Sequence, residues 1–91
     1  MPGMIAKKVI FSGHVQGVAF RRQAKDAADK AGITGWIRNL VDGTVEALFC
    51  GEESSVYKII NFCAHDLRRA DVSTYIVKDA DCPDEKEFTI L

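Results

Sequence analysis

The spacing of apolar residues switches several times between a strand period and a helix period, and this order constrains the fold most strongly. Residues 5–11 carry apolar side chains at even spacing, which predicts a first strand. Residues 19–31 then place Phe20 and four alanines on one face at helical spacing, and Gly32 follows as a suitable helix end. The chain therefore opens with a strand, a loop and a helix.

Two strands joined by a tight turn are expected after this helix. Residues 35–40 and 44–50 are rich in apolar and strand-forming side chains, and Val41-Asp42-Gly43 lies between them. An Asp-Gly pair in such a position is a strong signal for a short hairpin. We therefore predict an antiparallel pair.

The second half of the chain predicts one more helix and two strands. An apolar stripe from Val56 to Leu67 has helical spacing, follows the acidic Glu52-Glu53 and leads to the basic Arg68-Arg69, near which the helix should end. Residues 72–77 predict a fourth strand and residues 88–91 a short fifth one. An acidic segment with a proline, residues 79–87, separates them and is expected to be a solvated connection.

The complete order is βαββαβ with a short terminal strand. The two crossovers must be right-handed, so both helices return to the same face of a largely antiparallel sheet. We predict an α+β fold, a ferredoxin-like α/β sandwich. Ninety-one residues, 47% of them hydrophobic, suffice for one compact core, so residues 1–91 are expected to form a single domain.

Composition excludes several classes of partner. The net charge is −1 and the pI is about 6.1, so the chain lacks the broad positive field that binds nucleic acid or anionic membranes. No stretch has the length and apolarity of a signal peptide or a membrane span. Cys50, Cys63 and Cys82 match neither a zinc pattern nor a redox pair, so we expect reduced thiols in a cytoplasmic protein. The protein is also expected to be soluble and to act as a monomer.

The loop between the first strand and the first helix is the main candidate for a functional site. Its glycines, Gly13 and Gly17, allow backbone angles that other residues resist. The start of a helix presents unpaired N–H groups and the positive end of its dipole, a combination that favours a bound phosphate. The candidate phosphate-binding residues are His14, Val15, Gln16, Gly17, Val18 and Ala19. A purely structural turn is an equally good reading of the pattern alone.

Arg21 favours the phosphate reading. It lies in the first helical turn, where its planar fork of donors can grip two phosphate oxygens, a geometry that lysine cannot reproduce. A cation there also opposes the helix dipole unless an anion lies between them. The adjacent Arg22 is expected to be an exposed arginine. Asn39 lies on a predicted strand, where asparagine is uncommon unless its side chain has a partner. Taken alone, this residue is better explained by a role in stabilising the adjacent turn.

Two motifs in these segments resemble those of a known family. They are Gly13-His14-Val15-Gln16-Gly17-Val18-Ala19-Phe20-Arg21, and Gly35-Trp36-Ile37-Arg38-Asn39 followed by Asp42-Gly43-Thr44-Val45-Glu46. Together they look like the two signature motifs of the acylphosphatases, which are small ferredoxin-like domains of about this length. The similarity is weakest after Leu67, where Arg68-Arg69-Ala70-Asp71 lacks the glycine-proline character that many members show.

The resemblance implies a function and roles for individual residues. It implies hydrolysis of small acyl phosphates to a carboxylate and inorganic phosphate, the latter a product and competitive inhibitor. The loop backbone would cradle the phosphate, Arg21 would bind it and Asn39 would orient the attacking water. The carboxylate leaves as a weak base, so no general acid is required. We find no acidic pair or histidine cluster at metal-ligand spacing, and we expect no metal or other cofactor. His14 is expected to flank the cradle and His65 to lie on the helix surface.

Other functions are open at this point. The main alternative is a non-catalytic binding module for small phosphorylated ligands, although such a module would not need Asn39. An RNA-binding domain of the same fold is disfavoured because the strands lack a basic and aromatic signature. A carbamoyl-phosphate domain of a maturation factor normally belongs to a longer chain. The physiological acyl phosphate stays open, and Trp36 is expected to pack against Phe20 in the core.

Overall fold

A computed structural model describes residues 3–91, and this part of the chain contains seven regular elements. In chain order they are β1 (Met4–His14), α1 (Phe20–Ala31), β2 (Thr34–Asn39), β3 (Val45–Glu52), α2 (Glu53–His65), β4 (Asp71–Ala80) and β5 (Phe88–Ile90). The predicted order of elements is confirmed. No helix within residues 3–91 has the length and apolarity needed to cross a membrane.

The five strands form one sheet in the order β4-β1-β3-β2-β5. β1 pairs antiparallel with both β3 and β4, β3 pairs antiparallel with β2, and β5 adds parallel to β2 at the far edge. Both helices contribute to one apolar core on the same face of the sheet. This is the predicted ferredoxin-like arrangement.

Aromatic side chains fill the layer between the helices and the sheet. The rings of Phe11 on β1 and Phe20 on α1 lie 5.1 Å apart, and those of Phe49 on β3 and Phe88 on β5 are stacked 5.6 Å apart. All four are buried. Burial of such large apolar side chains provides much of the driving force for folding, and Phe20 fixes the start of α1 against the strand that precedes it.

Three predicted boundaries differ from the structure, and the simplest is the end of β4, which lies at Ala80 rather than Val77. β1 continues to His14 because Gly13 and His14 still pair with β4, beyond a shift in register after Ser12. α2 ends at His65 rather than near Arg68-Arg69, and residues 66–70 form a connection that is not helical. Leu67 is nevertheless buried in the core, so the apolar stripe that extended the predicted helix reflects burial rather than helical structure.

The prediction that Trp36 packs against Phe20 is wrong. Successive side chains of a strand face opposite sides of the sheet, and the next residue, Ile37, is fully buried on the helix side. Trp36 therefore lies on the other face, beside the small apolar cluster of Ala6, Leu48 and Cys50. The guanidinium of Arg38 lies 5.3 Å from the centre of its ring.

The expectation of three reduced thiols is also wrong. Cys50 and Cys82 form a disulfide, with Cα atoms 5.4 Å apart, and only Cys63 of the three is free. The segment between β4 and β5 must pass from one edge of the sheet to the other, which carries Cys82 past the end of β3, where Cys50 lies. The cytoplasmic location drew on reduced thiols and loses that support, since disulfides persist mainly in oxidising compartments.

Candidate functional site

The loop between β1 and α1 is shaped by residues with positive φ. Gly13 has φ 122° and Gly17 has φ 77°, values that side-chain-bearing residues rarely adopt. A Cβ atom on Gly13 would also lie 2.3 Å from the carbonyl oxygen of Asp71, so only glycine fits there. The last loop residue, Ala19, has φ 59° and is the N-cap of α1.

The start of α1 has no capping group of its own. Ala19 has no side chain that could accept a hydrogen bond from the first turn, and the first turn contains no acidic residue. Helix starts leave several backbone N–H groups without intrahelical partners, and these groups carry the positive end of the helix dipole. The uncapped start of α1 is therefore suited to an anion.

A cavity of about 300 Å³ opens directly at this helix start. Arg21 from α1 and Asn39 from the end of β2 both line it, although 18 positions separate them in the sequence. Their meeting follows from the fold, because α1 connects β1 to β2, and these two strands run in the same direction and finish at the same end of the sheet. The cavity is lined by Val15, Gly17, Ala19, Phe20, Arg21, Arg22, Asn39 and Ile90.

Arg21 is partly buried and is held from the C-terminal strand. Its Nη1 donates a hydrogen bond of 3.3 Å to the carbonyl oxygen of Leu91, directly after β5. This contact occupies one of the five N–H donors of a guanidinium, so several remain for a ligand. Asn39 is exposed and makes no side-chain hydrogen bond within residues 3–91. Its amide is therefore open to solvent or substrate.

Gln16 connects the loop to the hairpin that follows Asn39. Its Nε2 donates hydrogen bonds of 2.8 Å to the carbonyl oxygen of Leu40 and of 2.9 Å to that of Thr44. These two residues flank the turn, and the N–H of Leu40 also donates to the carbonyl of Thr44 at 2.9 Å. One side chain thus fixes the distance between the phosphate-loop candidate and the end of β2.

The turn itself is closed by Asp42. Its Oδ1 accepts hydrogen bonds from the hydroxyl and the backbone N–H of Thr44, at 2.6 Å and 3.0 Å. These bonds, the one from the hydroxyl foremost, hold the pKa of the Asp42 carboxyl below its ordinary value. The carboxylate therefore serves the shape of the turn, and Asn39 precedes a loop with a defined conformation.

The eight predicted site residues fall into two groups in the structure, those that line the cavity and those that do not. Arg21, Asn39, Val15, Gly17 and Ala19 all line the cavity. Val18 is buried and lines a neighbouring groove instead, Gln16 turns toward the hairpin, and His14 is exposed at the end of β1, outside the lining.

Three lining residues were not among the predicted site residues, and one of them, the buried Phe20, was predicted only as part of the apolar face of the first helix. Arg22 was predicted to be a plain exposed arginine, and it is exposed but also lines the cavity. Its position beside Arg21 in the first helical turn was the available signal. Ile90 had none, because its place depends on the pairing of β5 with β2.

The polar groups of the cavity are a guanidinium pair, an amide and backbone N–H groups. Within residues 3–91 no three His, Cys, Asp or Glu side chains come together in a way that could hold a metal ion. Guanidinium and N–H groups bind anions and do not ligate metals. Chemically, the arrangement can bind a small anion and hold a neutral molecule, such as water, close to it.

Comparisons with known proteins agree on one family. The model of the acylphosphatase family matches residues 7–90. The chain is 40% identical to an acylphosphatase of Roseiflexus sp., over all of this chain and 99% of that one, and 38% identical to one from Acaryochloris marina, over all of this chain and 98% of that one. The solved structure of an acylphosphatase from Coxiella burnetii superposes with a TM-score of 0.92 at 30% identity, covering 98% of this chain and 94% of the other. The chain belongs to the acylphosphatase family and is an enzyme that hydrolyses acyl phosphates.

Proposed function

We propose that this chain, acting as a single monomeric domain, cleaves the carboxyl–phosphate bond of small acyl phosphates by in-line attack of water in the cavity at the start of α1. The observation that carries the proposal is the convergence of Arg21 and Asn39 on one cavity at an uncapped helix start. The cavity volume of about 300 Å³ can accommodate a phosphoryl group together with a water molecule.

The phosphate would be bound by the loop backbone and by Arg21. The loop from His14 to Ala19 would supply N–H donors, with Gln16 holding its conformation against the hairpin. Arg21 would contribute a bidentate contact to two phosphoryl oxygens, oriented by its bond to the Leu91 carbonyl. Donors fixed before the substrate arrives stabilise the charge on the transferring oxygens without rearrangement in the transition state.

Asn39 would position the nucleophile. A side-chain amide can accept a hydrogen bond from a water molecule and donate one to a phosphoryl oxygen, and the Asn39 amide has no competing side-chain hydrogen bond within residues 3–91. Holding the water in line with the bond that breaks converts a bimolecular encounter into a reaction within one complex. The acyl carboxylate leaves without protonation, so the scheme needs neither a general acid nor a metal ion.

The decisive experiment is hydrolysis of benzoyl phosphate by the purified chain in the presence of a metal chelator. We expect turnover, with inorganic phosphate as a competitive inhibitor. Arg21→Ala should lower kcat/KM by about a thousand-fold and weaken inhibition by phosphate, since it removes both binding and transition-state contacts. Asn39→Ala should lower kcat by about a hundred-fold or more while phosphate still inhibits at a similar concentration.

A conservative variant and a structural control complete the design. Arg21→Lys keeps the charge but loses the planar fork, so most of the activity should stay lost. Circular dichroism and the melting temperature should match those of the wild type in every variant. An unchanged rate for Asn39→Ala would remove the water-positioning role. Phosphate binding without any wild-type turnover would instead assign the site to a non-catalytic binding module.

A further inference from the structure

A second groove lies next to the loop of residues 14–19, which we call the cradle, on the side of β4. It has a volume of about 360 Å³ and is lined by Val18, Ala19, Gln23, Arg68 and Arg69. Ala19 also lines the candidate active-site cavity, so the two spaces adjoin. Arg68 and Arg69 belong to the connection between α2 and β4.

The charge of this groove is not balanced. No acidic residue lines it, and within residues 3–91 neither arginine lies within 4.0 Å of a carboxylate. The groove on the opposite side of α1 differs, because its cations Arg22 and Lys25 are accompanied by the carboxylates of Asp26 and Glu87. Of the two grooves beside the cradle, the one with Arg68 and Arg69 is therefore suited to an anion.

The backbone under the two arginines is held in place. The Gln23 side chain donates hydrogen bonds to the carbonyl oxygens of Val18 at 3.2 Å and Arg68 at 3.1 Å, and it accepts one of 2.9 Å from the N–H of Arg68. One amide thus ties the cradle loop to the arginine pair. Arg69 has φ 66°, a left-handed conformation that is unfavourable for a residue with a side chain.

The strand order indicates that the leaving group departs on the side of this groove. Asn39 ends β2, whereas Arg69 precedes β4, and these strands lie on opposite sides of β1, from which the cradle loop emerges. In an in-line displacement the leaving group departs on the side opposite the water. With water at Asn39, the acyl group would extend toward β4 and the arginine pair.

We propose that Arg68 and Arg69 form a subsite for a second anionic group, a carboxylate or a phosphate, carried on the acyl part of the substrate. The inference rests on the proposed function and deepens it, because it names the preferred substrate class as acyl phosphates with a negatively charged acyl group. Unpaired guanidinium groups bind such oxyanions in bidentate fashion, and a neutral acyl group gains nothing from them.

The test compares two substrates that differ in charge but hardly in shape, 4-carboxybenzoyl phosphate and 4-carbamoylbenzoyl phosphate. The measured quantity is the ratio of their kcat/KM values in the wild type, in Arg68→Gln and in Arg69→Asn. Asparagine tolerates the left-handed conformation, so Arg69→Asn removes the charge without new backbone strain. Either arginine contributes through an exposed contact, so each substitution should lower the carboxylate-to-amide ratio by about three- to five-fold.

Lys25→Gln is the matched control. It removes one positive charge from α1, outside the active-site cavity and in the groove whose charges are balanced, so the ratio should stay within a factor of about two. In the wild type, the preference for the carboxylate substrate should also weaken as salt is added, since the arginines are exposed. Both results would support the subsite.

Several outcomes would overturn the proposal. If benzoyl phosphate is hydrolysed normally and the ratio is unchanged in both Arg68→Gln and Arg69→Asn, the subsite does not exist although the proposed function stands. If the ratio is unchanged but sulfate inhibits benzoyl phosphate turnover more strongly in the wild type than in Arg68→Gln, the groove takes a free anion instead. If the wild type hydrolyses none of these substrates, the proposed function fails and the subsite fails with it.

Discussion

The two ends of the sheet are held together in different ways. At the end where β1 and β2 finish, the amide side chains of Gln16 and Gln23 connect the cradle to neighbouring segments by hydrogen bonds to backbone carbonyls. At the opposite end, where β3 finishes, the link is the disulfide from Cys50 to Cys82 above the apolar contacts of Ala6 and Leu48.

The two ends therefore differ in what they provide: the cradle end provides groups for the chemistry, and the disulfide end stabilises the fold. The cradle end leaves polar groups available, namely the uncapped N–H groups of α1 and the amide of Asn39, and it keeps Ala19 in a left-handed conformation. Such features cost free energy of folding and are tolerated where a ligand uses them. At the disulfide end the start of α2 carries the acidic Glu53, whose N–H donates to the carbonyl of Gly3, and the disulfide restrains the long return from β4 to β5.

The largest expected effect comes from opening the disulfide. It closes a loop with a sequence separation of 32, so reduction, or the Cys50→Ala/Cys82→Ala double substitution, should lower the free energy of unfolding by about 3 to 4 kcal/mol. Because the site lies at the other end, kcat for benzoyl phosphate should stay within two-fold of the wild type at 25 °C. Urea unfolding followed by fluorescence, together with steady-state kinetics, measures both quantities.

The same experiment tests whether the two ends are independent of each other. The segment released by opening the disulfide leads into β5, where Ile90 lines the cavity and Leu91 holds Arg21. A loss of activity of more than ten-fold in a protein that is still folded would mean that the disulfide end controls the site through β5. A reductant should have no effect on the double variant, which controls for changes unrelated to this bond.

Gln16→Ala tests the cradle end. We expect the opposite of the disulfide result, namely a clear loss of activity with only a small loss of stability. Removing the amide frees the carbonyls of Leu40 and Thr44 and loosens the spacing between loop and hairpin. We expect kcat/KM for benzoyl phosphate to fall about ten-fold, with a loss of about 1 kcal/mol in unfolding free energy. Asn61→Ala, which removes an exposed amide from α2, should change neither. A stability loss of 3 kcal/mol or more without a kinetic effect would make Gln16 a structural residue.

The sequence predicts the cradle end better than the disulfide end for a physical reason. Glycines with positive φ, an arginine in a first helical turn and an Asp-Gly turn all leave local signals, since their roles depend on neighbours in the chain. Arg21 could therefore be singled out from its own position, whereas Asn39 was singled out through the resemblance of its motif. The alternation of apolar periods was enough to give the order of the elements.

Features that depend on distant segments left no such signal. The spacing of Cys50 and Cys82 does not reveal that the return from β4 passes the end of β3. The side of the sheet that Trp36 occupies follows from which of two alternating faces the helices cover, and local pattern alone suggested the wrong one. Ile90 likewise reaches the cavity only through parallel pairing with β2.

Cys63 belongs to neither end and gives the smallest predicted effect. It was placed in the core by its position on the apolar stripe, and it is buried there; burial raises the pKa of its thiol from 9.0 to about 12. The unfolded chain thus loses this proton at lower pH than the folded one, so the contribution to stability is complete below pH 9 and disappears as the pH rises toward 12. At pH 10 the free energy of unfolding should be about 1 kcal/mol lower than at pH 8 on this account. Urea titrations of the wild type and Cys63→Val isolate the contribution of the Cys63 thiol, because the tyrosines and lysines titrate in both proteins. Equal slopes against pH would show that the thiol is accessible to water, and the core between the two ends would then be less tightly packed than its burial implies.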